Sequence, residues 1–208
     1  MSSRRHFLAA ALVGAVGFFS FGSAMAAESA TEFAERTSAE LVKIIDQGQS
    51  TYKADPEKLH NEIGVLLDDV VDFDGIARGV MGKQFFAAAS AKQKTDFAKT
   101  FRASLVKAYS QALVGFGRMD INVLGAKGPD NSKQTVDMLA KSTEDGTQVS
   151  VRYSMAAKEP GNWVVRNMII EGINLGQTYR SQFASSMSQN GGDIDKVIAT
   201  WSETEAAK

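Results

Sequence analysis

At 208 residues, 44% of them hydrophobic, the chain is long enough for one domain with its own core and too apolar to be disordered. Its 23 basic residues nearly balance 24 acidic ones, which leaves no strongly basic surface for bulk nucleic-acid binding. With no cysteine, the chain has no disulfide, no thiol nucleophile and no cysteine-based metal site.

The N-terminus has the layout of an export signal. Arg4 and Arg5 precede a short apolar run over 7–21, and Ala24-Met25-Ala26 is a small-x-small cleavage site. The run is too short and wrongly flanked for a stable membrane span. Residues 1–26 are therefore expected to be cleaved, leaving 27–208 as a single domain. Ser3-Arg4-Arg5-His6-Phe7-Leu8 resembles a twin-arginine signal, and the general secretory (Sec) route fits the same residues. Removing Arg4 and Arg5 leaves 21 basic against 24 acidic residues, still close to neutral.

Four helical segments follow. Residues 31–47 carry Phe33, Leu41, Ile44 and Ile45 at helical spacing, and 48–54 read as a break. Asp55-Pro56 supplies a cap and a first-position proline for a second helix striped by Leu59, Ile63, Leu66, Leu67 and Val70. Residues 73–81 form a short third helix ended by Gly82, with Phe85-Phe86 in a turn or helix beyond. The fourth and longest starts at Ser90. Along it Phe97, Phe101, Leu105, Tyr109 and Leu113 recur every four residues, and Phe116 follows three later. Lys92, Lys99, Arg102 and Lys107 fall on the opposite side. The stripe suits a packed core or one wall of a cavity, and periodicity does not separate the two.

The period then changes. Short strands are expected over 120–124 and 134–142, the latter with Val136, Met138 and Ala140 on one face. Residues 148–156 alternate most clearly, with Val149, Val151, Tyr153 and Met155 on one face. The fourth strand, 163–170, has Trp163, Val165 and Ile169 on one face and Val164, Met168 and Ile170 on the other, which predicts a central position covered on both sides over part of its length. Helices resume over 175–189, striped by Leu175, Tyr179, Phe183 and Met187, and after Asp193, with Ile194, Val197, Ile198 and Trp201. A polar tail from Ser202 is expected to fray. Helices, an antiparallel meander, then helices again define an α+β domain, with helices packed on a curved four-stranded sheet. The cleft between sheet and helices is where a pocket would form.

Catalytic chemistry is scarce. His6 leaves with the signal, and His60 has no second ligand near it. Asp68, Asp69, Asp72 and Asp74 cluster, but Asp72-Phe73-Asp74-Gly75 lacks the length and closing Glu of a calcium loop, and a helix cap accounts for it. Gly172 and Gly176 near Asn174 lack the strand-turn-helix setting of a phosphate loop. What is abundant is bulk: 12 Phe and 8 Met, residues that pack a core or line an adaptable cavity.

Phe101-Arg102, followed by Leu105, Tyr109, Gln111, Ala112 and Leu113, resembles the MlaC/toluene-tolerance family of periplasmic phospholipid-binding proteins. The resemblance extends upstream through 73–82 and Gln93, and downstream through Asn162-Trp163, Met168, Glu171-Gly172 and Leu175. Phe85-Phe86 departs from the family's aromatic-basic pair, Asn167 stands where it tends to Asp, and Asn174 where it tends to Ser. The resemblance implies a cone similar to nuclear transport factor two, with a deep apolar pocket. It implies a Gram-negative periplasmic shuttle of the Mla pathway, maintaining outer-membrane lipid asymmetry. Its partners would be phospholipid, an outer-membrane lipoprotein complex and an inner-membrane ABC transporter with an MCE-domain subunit. It implies no cofactor, only phospholipid as cargo.

On that reading the acyl chains lie against Phe73, Ile76 and Val80 of the third helix and Phe97, Phe101, Leu105, Tyr109 and Leu113 of the fourth. The sheet contributes Val149, Val151, Tyr153, Met155, Trp163 and Val165, with the inward face of these strands left open. Two alternatives stand beside it: a small enzyme on the same fold using Asp74 or Glu171 as its acid or base, and a fully packed structural protein.

Overall fold

Side-chain caps set the helical layer. In this computed structural model, which describes residues 27–206 (without side-chain detail at 49–54 and 202–206), the helices are α1 (Ala30–Ala54), α2 (Pro56–Val70), α3 (Phe73–Ala88) and α4 (Ala91–Phe116). The expected export signal over 1–26 lies outside the described residues. Asp55 accepts a hydrogen bond from the Lys58 amide at 3.3 Å, and Asp72 one from the Gly75 amide at 3.1 Å, so each satisfies a helix-end donor. Ser90 and Gln93 form a reciprocal capping box at the start of α4. Gly82, at φ +69°, breaks α3 where the sequence ends its short helix.

The expected break over 48–54 is absent, because α1 runs on to Ala54. Gly48 is buried there, so packing offsets the roughly 1 kcal/mol that glycine costs inside a helix. The helix ends where Asp55-Pro56 starts the next one.

The sheet is an open antiparallel meander in the order β1-β2-β3-β4-β5. Its strands are Met119–Asp130, Lys133–Ser142, Gln148–Glu159, Asn162–Ile170 and the two-residue Ile173–Asn174. β5 is one strand more than expected, and β1 and β3 are longer. β4 has a strand on either side, although β5 pairs with only its last two residues, and the expected cover on both faces holds over Trp163, Val164 and Val165, which are all buried. Two helices close the chain, α5 (Leu175–Gln189) and α6 (Ile194–Ala206), the latter continuing past the expected fraying point.

Four register shifts interrupt the sheet, two close to the β1–β2 and β3–β4 turns and two in mid-strand. In β1, Leu124 is the extra residue between the pairs Val123–Met138 and Gly125–Asp137, and Gly125 takes φ +114°. In β4, Arg166 is extra between Val165–Met155 and Asn167–Ser154. Each bends its strand and shifts the alternation by one residue. The β4 bulge corrects the expected faces. Met168 pairs with Tyr153 and Ile170 with Val151, so they share a face with Trp163 and Val165, while Ile169 pairs with Arg152 on the other.

Apolar packing falls into separate groups. One joins α3, α4, α5 and α6 around Phe97, Phe101, Phe183 and Trp201. A second seats the start of α1 on the sheet, with Phe33 and Ala34 against Val136, Met155 and Trp163. There the Trp163 Nε1 donates to the Glu28 carbonyl at 2.9 Å. A smaller group ties α1 and α2 through Ile45, Leu59 and Ile63, with Leu41 and Leu113 packed beside it.

Candidate functional site

Between these groups lies a cavity of about 360 Å³. Its floor is the sheet face of Met138, Val149, Val151, Tyr153 and Val165, extended by Met168 and Ile170 because of the β4 bulge. Leu41 of α1, Ile63 and Leu67 of α2, Phe73 and Ile76 of α3, and α4 from Phe101 to Phe116 roof it. Leu175 and Tyr179 of α5 close one side.

Among the described residues the lining carries no Asp, Glu, His, Lys or Arg. Its polar side chains are Ser38, Asn167, Tyr109, Tyr153 and Tyr179. Asn167 is engaged in holding the start of α5: its Oδ1 accepts from the Gly176 amide at 3.0 Å, and its Nδ2 donates to Asn174 Oδ1 at 3.0 Å. Burial holds the Tyr153 hydroxyl above its ordinary pKa of 10.0, because the phenolate would lose its hydration, so the side chain enters the site neutral. Such a lining offers a solvent-like environment for hydrocarbon.

Ten of the fourteen residues expected against a lipid border this cavity: Phe73, Ile76, Phe101, Leu105, Tyr109, Leu113, Val149, Val151, Tyr153 and Val165. The other four do not line it. Val80 and Phe97 are turned into the ring-packed group of α3 to α6, and Met155 and Trp163 into the group under α1. In each case the stripe extends further along its element than the cavity does.

The lining residues left out of the expectation come from stripes visible in the sequence but not assigned to a wall. They include Leu41, Ile63, Leu67, Met138, Leu175 and Tyr179, and Phe116 at the end of the α4 stripe itself. Met168 and Ile170 had no usable signal, because strict alternation puts them on the wrong face.

The acidic candidates serve the scaffold. Asp68 pairs with Arg102, the guanidinium Nη2 lying 2.6 Å from the carboxylate. Asp72 caps α3 and meets Arg166, the bulge residue, at 3.0 Å. Asp74 is exposed in the first turn of α3. Glu171, at φ +48°, accepts a hydrogen bond from the Ser150 amide, which holds its carboxyl below the usual range. Neither Asp74 nor Glu171 borders the cavity. Among the described residues no group of three or more His, Cys, Asp or Glu is placed to hold a metal ion.

An open antiparallel sheet roofed by helices over an uncharged cavity defines the class: an α+β protein with an apolar site between sheet and helices. Residues 35–203 match the model of the MlaC protein family, and the chain belongs to that family. A toluene tolerance protein of Pseudomonas putida, ttg2D, is 32% identical over 177 residues, which are 85% of this chain and 81% of that protein. Among solved structures, the phospholipid-binding protein from Ralstonia solanacearum, solved in complex with a phospholipid, matches with a TM-score of 0.62. The match has 23% sequence identity and covers 82% of this chain and 98% of that one, so the two share a fold.

Proposed function

We propose that the protein is a phospholipid carrier of the periplasm that shuttles diacyl lipid between the outer and inner membranes and so maintains outer-membrane lipid asymmetry. The observation that carries this reading is the uncharged cavity between α4 and the sheet. Membership of the MlaC family and the phospholipid held by the Ralstonia solanacearum protein support it. An outer-membrane lipoprotein complex and an inner-membrane ABC transporter with an MCE-domain subunit would be the partners between which it moves, and the export signal expected over 1–26 would deliver it there.

The physics of the task calls for an apolar site without charges. Each methylene exposed to water costs about 0.8 kcal/mol, so carrying the roughly thirty methylenes of a diacyl lipid unprotected through water would cost on the order of 20 kcal/mol. A carrier must hold the chains in a dry space and needs no catalytic group. Release then requires a partner that favours a form with weaker hold on the lipid. Among the described residues no helix is long and apolar enough to cross a membrane. The two carboxylates of the enzyme alternative, Asp74 and Glu171, do not border the cavity.

Purification of the exported protein, organic extraction and mass spectrometry test the reading. Phospholipid is expected in the extract at near-stoichiometric amount. Protein that is lipid-free and also fails to take up phospholipid from vesicles overturns it.

A further inference from the structure

The two ends of the cavity differ in kind. Among the described lining residues Ala112, in the C-terminal half of α4, alone is exposed, so we infer that the mouth lies beside it. Eleven residues earlier on the same helix, about 16 Å by helical rise, Phe101 lines the cavity with no exposed surface. That distance is on the scale of one long acyl chain.

Phe101 cannot readily yield. Its ring stacks on Phe97 at 5.7 Å, meets Tyr179 edge-on at 5.3 Å and lies 6.1 Å from Trp201. Phe97 is in turn held edge-on by Phe183 at 4.8 Å and Trp201 at 5.2 Å. The sheet side is different: Met119, Met138 and Met168 line it, and unbranched thioethers repack around varied shapes.

We propose that Phe101, locked between Phe97 and Tyr179, is the end stop that limits the length of acyl chain the cavity accepts, while the methionine wall leaves chain unsaturation largely unselected. This rests on the phospholipid-carrier reading. Short of the stop, a methylene leaves one apolar medium for another at little cost. Beyond it, the excess methylene remains in water, and occupancy falls by about fourfold for each one.

The test loads the mature protein from vesicles holding equal amounts of phosphatidylglycerols with paired saturated chains, graded from lauroyl to behenoyl, together with the dioleoyl lipid. Bound lipid is quantified by mass spectrometry. The wild type is expected to show a cut-off, each two-carbon step above it lowering occupancy by about tenfold or more, with stearoyl and oleoyl lipids taken alike. Phe101→Leu should move the cut-off at least one two-carbon step longer. Phe183→Leu keeps the Phe101 ring but loosens its support, and should blur the cut-off while moving it less than Phe101→Leu does. If Phe101→Leu does not fold, Phe101→Met, closer in volume and flexible, should blur the cut-off. A wild type that takes all lengths alike overturns the proposal, and so does a lipid-bound Phe101 variant with the wild-type cut-off. A wild type that takes up no lipid at all overturns the carrier reading instead.

Discussion

The two halves of α4 use the same kinds of residue to opposite ends. At its N-terminal half, Phe97 and Phe101 meet Phe183, Tyr179 and Trp201 in ring contacts 4.8–6.1 Å apart, and the space is filled. At its C-terminal half, Tyr109, Leu113 and Phe116 continue the same four-residue stripe over a cavity. The difference lies in what faces the helix. Two further helices, α5 and α6, bring large rings onto the first half. The second half faces a bulged sheet whose Val149, Val151 and Ile170 do not reach across. Bulk and period thus determine that a surface will be buried, and the partner determines whether it will be packed or hollow.

The largest expected effect lies in the packed half. Phe97→Ala should lower stability by about 3–5 kcal/mol, since a ring enclosed on all sides leaves a cavity that its neighbours cannot refill. Denaturant unfolding measures it. Leu113→Ala, at the half-buried wall of an existing void, has fewer contacts to lose and should cost about 1 kcal/mol. Equal losses at the two positions would mean that the hollow half is packed in solution.

Cargo should respond in the reverse order. Leu113→Arg puts a guanidinium against acyl methylenes, and lipid occupancy should fall about tenfold or more while the melting temperature changes little. Leu105 is a less clean probe, because it also belongs to the packed group and its replacement would lower both. Lipid extracted from purified wild type and variant, set beside their melting curves, separates the effects. Loss of stability and cargo in proportion would argue for a continuous core.

Helix stripes, caps and the helix–meander–helix order were legible in the sequence because they depend on local chemistry: a serine where a helix starts, a proline after an aspartate, a side chain every fourth residue. The reach of the cavity was not. Phe97 and Phe101 are indistinguishable by period and chemistry, yet only Phe101 borders the void, because Phe97 meets Phe183 and Trp201 from the far end of the chain. On β4, nothing local marks Arg166 as an inserted residue. The bulge is set by pairing with β3, and it alone turns Met168 and Ile170 onto the cavity face. The family resemblance supplied the expectation of a pocket, and the distribution of rings supplied its boundary.

A smaller effect tests whether the packed half is built independently of the hollow one. Ser90→Ala removes one side of the capping box at the start of α4 and should cost about 1 kcal/mol. The unfolding midpoint in denaturant should fall with an unchanged slope. Bound lipid should not change, since Ser90 is remote in sequence from the lining and borders none of it. A loss of cargo with this variant would show that fraying at the first turn reaches the mouth, and would join the two halves into one cooperative unit.

The smallest effect concerns the far edge of the hollow half, where polar ties rather than rings hold the chain. Glu171 follows Ile170 at the end of β4, and its carboxylate accepts the Ser150 amide of β3. That bond lowers its pKa from an ordinary 4.5, so it stabilises the folded form above that pH and is lost as the pH falls through the lowered value. Glu171→Gln should therefore flatten the acid limb of the stability profile slightly below pH 4.5. The carboxylate is exposed, so water competes for the amide and the change is small. The same variant, together with Asp74→Asn, should leave extracted phospholipid unchanged, because neither side chain touches the cavity. An altered cargo would place one of these carboxylates in contact with the ligand and return the acid–base alternative to consideration.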